Sequence, residues 1–241
     1  MHKVWWLGSS DGKGNFGDVL TPYILDYFNI NYKFVKKHAD ADLLCVGSIA
    51  RRANSKTTVL GSGIISQRDK LSIHANWILV RGPLTRKRIL DLGGNCPEIY
   101  GDPALLLPLF LDESKKEYDL GLVPHHIDFG LIRSKYPNKN IIQLRDVHKS
   151  PLEAAKEITK CRKIISSSLH GIIAAHAYNI PAAWVSSENK LKGDDSKFYD
   201  YFASVGIEHP QKTTIEDPVF TVPNIDLKPN LINAFKGIQN V

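Results

Sequence analysis

Cysteine is scarce in this chain, and nothing in its composition is extreme. The three cysteines, Cys45, Cys96 and Cys161, lie far apart and form no CxxC pair. Such a set builds no disulfide framework, suggests no metal site and fits a reducing cytoplasm. No run of about 18 apolar residues is present, so the sequence offers no membrane-spanning helix. The opening segment Met1-His2-Lys3-Val4-Trp5-Trp6-Leu7-Gly8 has too short an apolar part for a signal peptide and reads as a buried strand. There is no arginine-rich tract, recognition-helix signature or paired aromatic motif, which argues against nucleic-acid binding. Short-period repeats and low-complexity tracts are also missing.

What is there is the makeup of a globular protein: 241 residues, 43% hydrophobic and 23% charged. The net charge of +6 arises from 31 basic and 25 acidic residues. That excess suits small anionic substrates or an anionic membrane surface.

Apolar strand-like and helix-like runs alternate along the chain. The strand pattern falls at 4–7, 32–35, 43–46, 58–60, 77–80, 120–123, 141–144, 163–165 and 182–185. Helical periodicity falls at 19–28, 83–92, 127–136, 151–161, 169–178 and 197–205, with one more amphipathic helix from 231 to 238. The alternation predicts an α/β protein with mainly parallel sheets. Ser150-Pro151-Leu152-Glu153 has capping-box spacing, and Gly93-Gly94 closes the helix that Pro83 opens. The charged stretch Asp112–Glu117 reads as a linker. Two Rossmann-like domains follow, 1–112 and 117–209, with a tail, 210–241, that packs back on the N-terminal half.

Residues 163–171, Lys-Ile-Ile-Ser-Ser-Ser-Leu-His-Gly, carry the most chemistry. A short strand ends in three serines, and Ser167 or Ser168 caps the helix that follows. His170 then falls in the first helical turn, where free N–H groups and a partial positive charge favour anions. The segment reads either as a catalytic or anion-binding histidine at a strand end, or as a buried histidine bonded to a carbonyl.

Other strand ends carry weaker signals. Gly12-Lys13-Gly14-Asn15-Phe16-Gly17 matches GxGxxG, but the second strand ends in Lys36-Lys37, not in the acidic residue that dinucleotide binding requires. Asp18 is a helix cap or a functional carboxylate that orients or deprotonates a sugar hydroxyl. Arg81 ends a strand, where it grips an anion or forms a surface ion pair. Asp102 is a turn residue or a site residue. His125 and His126 follow another strand, and one of them can touch a ligand. Lys190 and Lys192 belong to a polar loop that reaches the same cleft or is merely solvated. His176 reads as structural, and Lys197, Phe198, Tyr201 and Phe202 as a core stripe. Together these residues describe a cationic cleft for a small, multiply charged substrate.

The set resembles the polysaccharide pyruvyltransferase family. The resemblance rests on Gly14-Asn15-Phe16-Gly17-Asp18 with Leu20-Thr21-Pro22, Arg81-Gly82-Pro83-Leu84-Thr85 and Gly101-Asp102-Pro103-Ala104. It continues through Val123-Pro124-His125, Ser166-Ser167-Ser168-Leu169-His170-Gly171 and Asn189-Lys190. It implies two Rossmann-like domains similar to the GT-B glycosyltransferases, with the acceptor on the first and the donor on the second. It further implies phosphoenolpyruvate as donor substrate, no cofactor and no metal, and a saccharide acceptor, free or lipid-linked. The product is a pyruvate ketal on a surface or exopolysaccharide precursor, made in the cytoplasm or at the inner face of the membrane. The family's catalytic positions map onto Arg81, His170 and Lys190, with Asn15, Gly17, Asp18, Asp102, His125, Ser167, Ser168 and Lys192 as substrate contacts. Some relatives carry arginine where this chain has Ser168, so a second cation must come from elsewhere, with Lys190, Lys192 and Arg145 as candidates. The competing expectations are a glycosyltransferase of the same architecture that uses a nucleotide sugar, and a saccharide-binding protein without catalysis.

Overall fold

A computed structural model describes residues 1–8, 14–144, 150–189 and 193–239. The chain forms two five-stranded sheets joined by helices. The first sheet contains β1 (His2–Val4), β2 (Tyr32–Phe34), β3 (Leu43–Leu44), β4 (Thr58–Leu60) and β5 (Asn76–Leu79) in the order β2-β1-β3-β4-β5. All of its pairings are parallel. The second contains β6 (Tyr118–Val123), β7 (Asn140–Ile141), β8 (Cys161–Ser166), β9 (Ala182–Trp184) and β10 (Phe220–Thr221) in the order β7-β6-β8-β9-β10. Only β10 runs antiparallel there.

Both sheets reverse their winding direction once, between β1 and β3 and between β6 and β8. In an open parallel sheet such a reversal leaves a crevice at the carboxyl ends of the strands, because the flanking connections depart to opposite sides.

The helices are α1 (Thr21–Tyr27), α2 (Pro83–Asp91), α3 (Phe129–Lys135), α4 (Pro151–Thr159), α5 (Leu169–Ala177), α6 (Ser196–Ser204) and α7 (Lys228–Ile238). Local chemistry sets several ends. Ser150 accepts from the Leu152 N–H at 3.2 Å, which caps α4, and Pro151 follows where its missing N–H is harmless. Gly93, at φ +88°, turns the chain after α2, and the Gly94 N–H returns to the Ile89 carbonyl.

All nine residues of α5 are buried. A helix that is apolar around its whole girth belongs between layers, not on a surface. It packs against β8 on one side and the 3-10 helix Pro103–Leu109 on the other. One contiguous apolar cluster consequently runs from Val4 and Trp6 through Leu106 to Ile172 and Phe202. Toward the C-terminus, α7 sets Phe235 in a stack with Phe28 at 5.2 Å and Leu231 against Gly101.

Three expectations change. The first strand ends at Val4, earlier than the apolar run that suggested 4–7, because Trp5 and Trp6 are buried in side-chain packing after the ladder stops. The tail gives β10 to the second sheet, an edge strand whose two residues carry no periodicity to find. Neither Ser167 nor Ser168 caps α5. Ser168 holds the N-cap position without a side-chain bond, while Ser166 Oγ takes the Ser168 N–H at 3.0 Å and donates to the Val123 carbonyl at 2.7 Å.

Candidate active site

Segments attached to the two sheets contribute residues to one cluster, in which His170 of α5 meets Asp102 and Gly17. From the first sheet, the turn after β1 carries Asn15, Gly17 and Asp18. The Asn15 side-chain amide donates to Asp18 Oδ2 at 2.8 Å. Asp18 Oδ1 is buried with no hydrogen-bond partner among the described residues. A Cβ built on Gly47, in the turn after β3, would come within 2.2 Å of that oxygen. Glycine at 47, with φ +112°, is therefore what makes room for the carboxylate. Asp18 does not cap its helix. Burial pushes its carboxyl up to about 6, only partly countered by the Asn15 hydrogen bond and by His170.

Asp102 begins the 3-10 helix Pro103–Leu109, where Oδ1 accepts from the Ala104 N–H at 3.0 Å. It is a cap, and it is also more than a cap. Its Oδ2 is buried, has no hydrogen bond among the described residues and lies 3.7 Å from His170 Nε2. His170 Nε2 is likewise buried without a hydrogen-bond partner among the described residues. The histidine comes from the second sheet, in the first turn of α5, and its ring lies against the backbone of Gly17. Native proteins rarely leave several buried polar atoms unsatisfied side by side, since each costs about 1–3 kcal/mol. Here Asp18, Asp102 and His170 each keep one such atom, and electrostatic coupling links Asp18 to both others.

Arg81 follows β5 and is completely buried. The ion pair expected at the surface is internal. Nε donates to Asp200 Oδ2 at 3.1 Å, Nη1 to Ser48 Oγ at 2.8 Å and Nη2 to the Ile64 carbonyl at 2.6 Å. Asp200, on α6, also accepts from the Thr85 N–H at 2.9 Å and its hydroxyl at 2.6 Å. A guanidinium so enclosed offers no face to solvent, and its charge is balanced within the protein.

His125 follows β6, and its N–H donates to Ser167 Oγ at 2.9 Å. Ser167 is thus spent on the second sheet's crevice, and Ser168 forms the turn into α5. The rings of His125 and His126 lie 4.2 Å apart. His176 is structural: it bonds the Tyr201 hydroxyl and the Thr221 carbonyl, each at 3.0 Å, and burial pushes its pKa down to about 4.

Gly12, Lys13, Arg145, Lys190 and Lys192 lie outside the described residues. The approach to Lys190 is described. Buried Asp128 accepts from the Asn189 N–H at 3.1 Å and its amide at 2.7 Å, and from the Ser187 hydroxyl. Sequence reading missed Asp128, Asp200 and Ser48, whose partners are distant in the chain. It also placed Lys197 in the core stripe. Phe198, Tyr201 and Phe202 are core, whereas Lys197 is half-buried and feels the charges of Arg81, Asp195 and Asp18.

Among the described residues no helix is long and apolar enough to cross a membrane. Residues 9–189 match the family model for polysaccharide pyruvyl transferase. The chain is 36% identical over 178 residues to an uncharacterized protein of Acanthamoeba polyphaga mimivirus, a match covering 69% of this chain and 61% of that protein. It is 28% identical over 213 residues to the succinoglycan biosynthesis protein ExoV of Rhizobium meliloti (strain 1021), covering 81% of this chain and 63% of ExoV. The chain thus spans about three fifths of the length of these curated relatives. No solved structure matches. With most of its length matched by the family model, this chain belongs to the polysaccharide pyruvyl transferase family.

Proposed function

We propose that the chain transfers the pyruvyl group of phosphoenolpyruvate to two hydroxyls of a saccharide, giving a pyruvate ketal and phosphate. The observation that carries this reading is a trio of buried atoms, Asp18 Oδ1, Asp102 Oδ2 and His170 Nε2, without hydrogen-bond partners among the described residues of a member of this family. Two α/β units that meet at such a cluster are the arrangement we read as GT-B-like, with 1–112 as the acceptor side, 117–209 as the donor side and 210–241 as a strap.

The donor's enol double bond accepts a proton at C3 as a sugar oxygen bonds to C2. His170, paired with Asp102, supplies that proton. Asp18 takes the proton of the attacking hydroxyl. With its carboxyl at about 6 it is mostly ionised at neutral pH, yet basic enough to accept. The C2–O bond to phosphate then breaks, phosphate leaving with the proton that Asp18 took, and the second hydroxyl attacks C2 to close the ketal, giving its proton to His170 and so restoring it. The free N–H groups at the start of α5 stabilise negative charge on the donor. Lys190 and Lys192, which follow the Asp128-anchored Asn189 in sequence, supply cations for the donor. Arg81 holds the frame through Asp200.

The test is steady-state kinetics on His170→Ala and Asp102→Asn. Both should lose about 100- to 10,000-fold in turnover with donor affinity changed little. Unchanged ketal formation in both would overturn the assignment.

A further inference from the structure

Arg81 is completely buried and held by Asp200, Ser48 and Ile64, so a donor carrying both phosphate and carboxylate needs a cation that it can reach. Lys197 meets that need. It lies in the first turn of α6, three residues before Asp200, so both project from one side of the helix. Its ammonium is half-buried and has no hydrogen bond or ion pair among the described residues. It sits over the Phe198 ring, 5.2 Å from the centroid.

None of the carboxylates around it pairs with it among the described residues. Asp200 is bound by Arg81 and Thr85. Asp195, at the start of α6, holds Lys212 at 2.7 Å. Asp194 accepts from Ser66 and Gln67. Asp18 faces the lysine from the turn after β1 at a range that acts through charge alone. The ammonium is not among the fully buried atoms, so it is half-sheltered, open to solvent and without a counter-ion among the described residues, and an anion arriving from solution can meet it.

We propose that Lys197 is a donor-binding residue, contributing the charge that holds the phosphate of phosphoenolpyruvate; this rests on the reading above. Burial, reinforced by the neighbouring Arg81 charge, pushes Lys197 down to about 8. It therefore loses its charge within a readily accessible pH range. The donor does not, because the second ionisation of a phosphate monoester lies near pH 6.

The experiment is calorimetric titration of the whole chain with phosphoenolpyruvate, without acceptor, from pH 7 to 9.5. Wild-type affinity should hold to about pH 8, then fall about tenfold per unit as the free lysine deprotonates. Lys197→Met should bind about 10- to 100-fold more weakly at pH 7 and lose that slope. Lys197→Arg, charged throughout, should bind with a flat profile. A Lys197→Met variant with wild-type affinity and slope would overturn the inference, as would a slope persisting in Lys197→Arg if the methionine variant does not fold. If the wild type itself shows no binding, the donor assignment fails and this inference fails with it.

Discussion

The ring of His170 rests on the backbone of Gly17, so the second sheet's helix α5 touches the first sheet's crevice without an intervening side chain. A Cβ at position 17 would come within 2.2 Å of His170 Cε1. Gly17 has ordinary right-handed dihedrals, φ −61° and ψ −48°, so the glycine is required by space and not by backbone strain. Gly17→Ala should therefore displace the ring. Turnover should drop about 100-fold, as expected when a catalytic group moves by about an ångström. The stability cost should stay within about 1–3 kcal/mol. Kinetics and urea denaturation of the same preparation check both.

The Arg81–Asp200 pair makes a different prediction. Both side chains are completely buried, and removing either leaves an uncompensated charge. Arg81→Ala or Asp200→Ala should cost about 3–5 kcal/mol of stability. His170→Ala should not. Denaturation midpoints of the three variants separate the frame from the chemistry.

Two buried groups give the stability an unusual pH profile. Asp18 titrates in the folded protein at about 6, above its ordinary 3.8, so ionising it there is costly. Its contribution falls as pH rises from about 4 to 6 and is constant above. His176 titrates at about 4, below its ordinary 6.5, so the folded state refuses a proton the unfolded chain accepts. Its contribution is complete above pH 6.5 and is lost as pH falls toward 4. Each is worth about 3 kcal/mol at most, and the two slopes cancel between about pH 4 and 6. In Asp18→Asn only the histidine slope remains. That variant should exceed wild-type stability at pH 7, with the gap shrinking steadily toward pH 4. A gap that does not change with pH would contradict this.

Asp128 anchors Ser187 and Asn189 just before Lys190. Asp128→Ala should loosen that loop, reducing turnover about tenfold or more with the melting transition still cooperative. Limited proteolysis near 190 should quicken in parallel.

Much of this architecture was legible in the residues. Helices α2, α4 and α5 announced themselves through Pro83, the Ser150-Pro151 cap and the apolar run from Leu169, because caps and periodicity are local signals. His170 stood out for the same reason: strand, serines and helix adjoin in sequence. Its partners did not. Asp102 looks like a turn residue until folding brings it 3.7 Å from His170, across 68 positions. Arg81 was found, but its burial was not, since Asp200 lies more than a hundred residues away on a helix that reads as plain core packing. Lys197 was hidden by that same stripe of Phe198, Tyr201 and Phe202. Strand β1 was misplaced because apolar character reports burial and cannot tell a ladder residue from a packed one.

The central claim is that Asp18, Asp102 and His170 move a pyruvyl group from phosphoenolpyruvate to a sugar. The most direct test mixes the protein with phosphoenolpyruvate and a panel of galactosides, glucosides and mannosides, free and lipid-linked, and follows phosphate release together with product mass. The account predicts acceptor-dependent phosphate release, a product heavier by pyruvate less water, and loss of both in His170→Ala. Stabilisation by a nucleoside diphosphate but not by phosphoenolpyruvate, with no phosphate released for any acceptor, would contradict it.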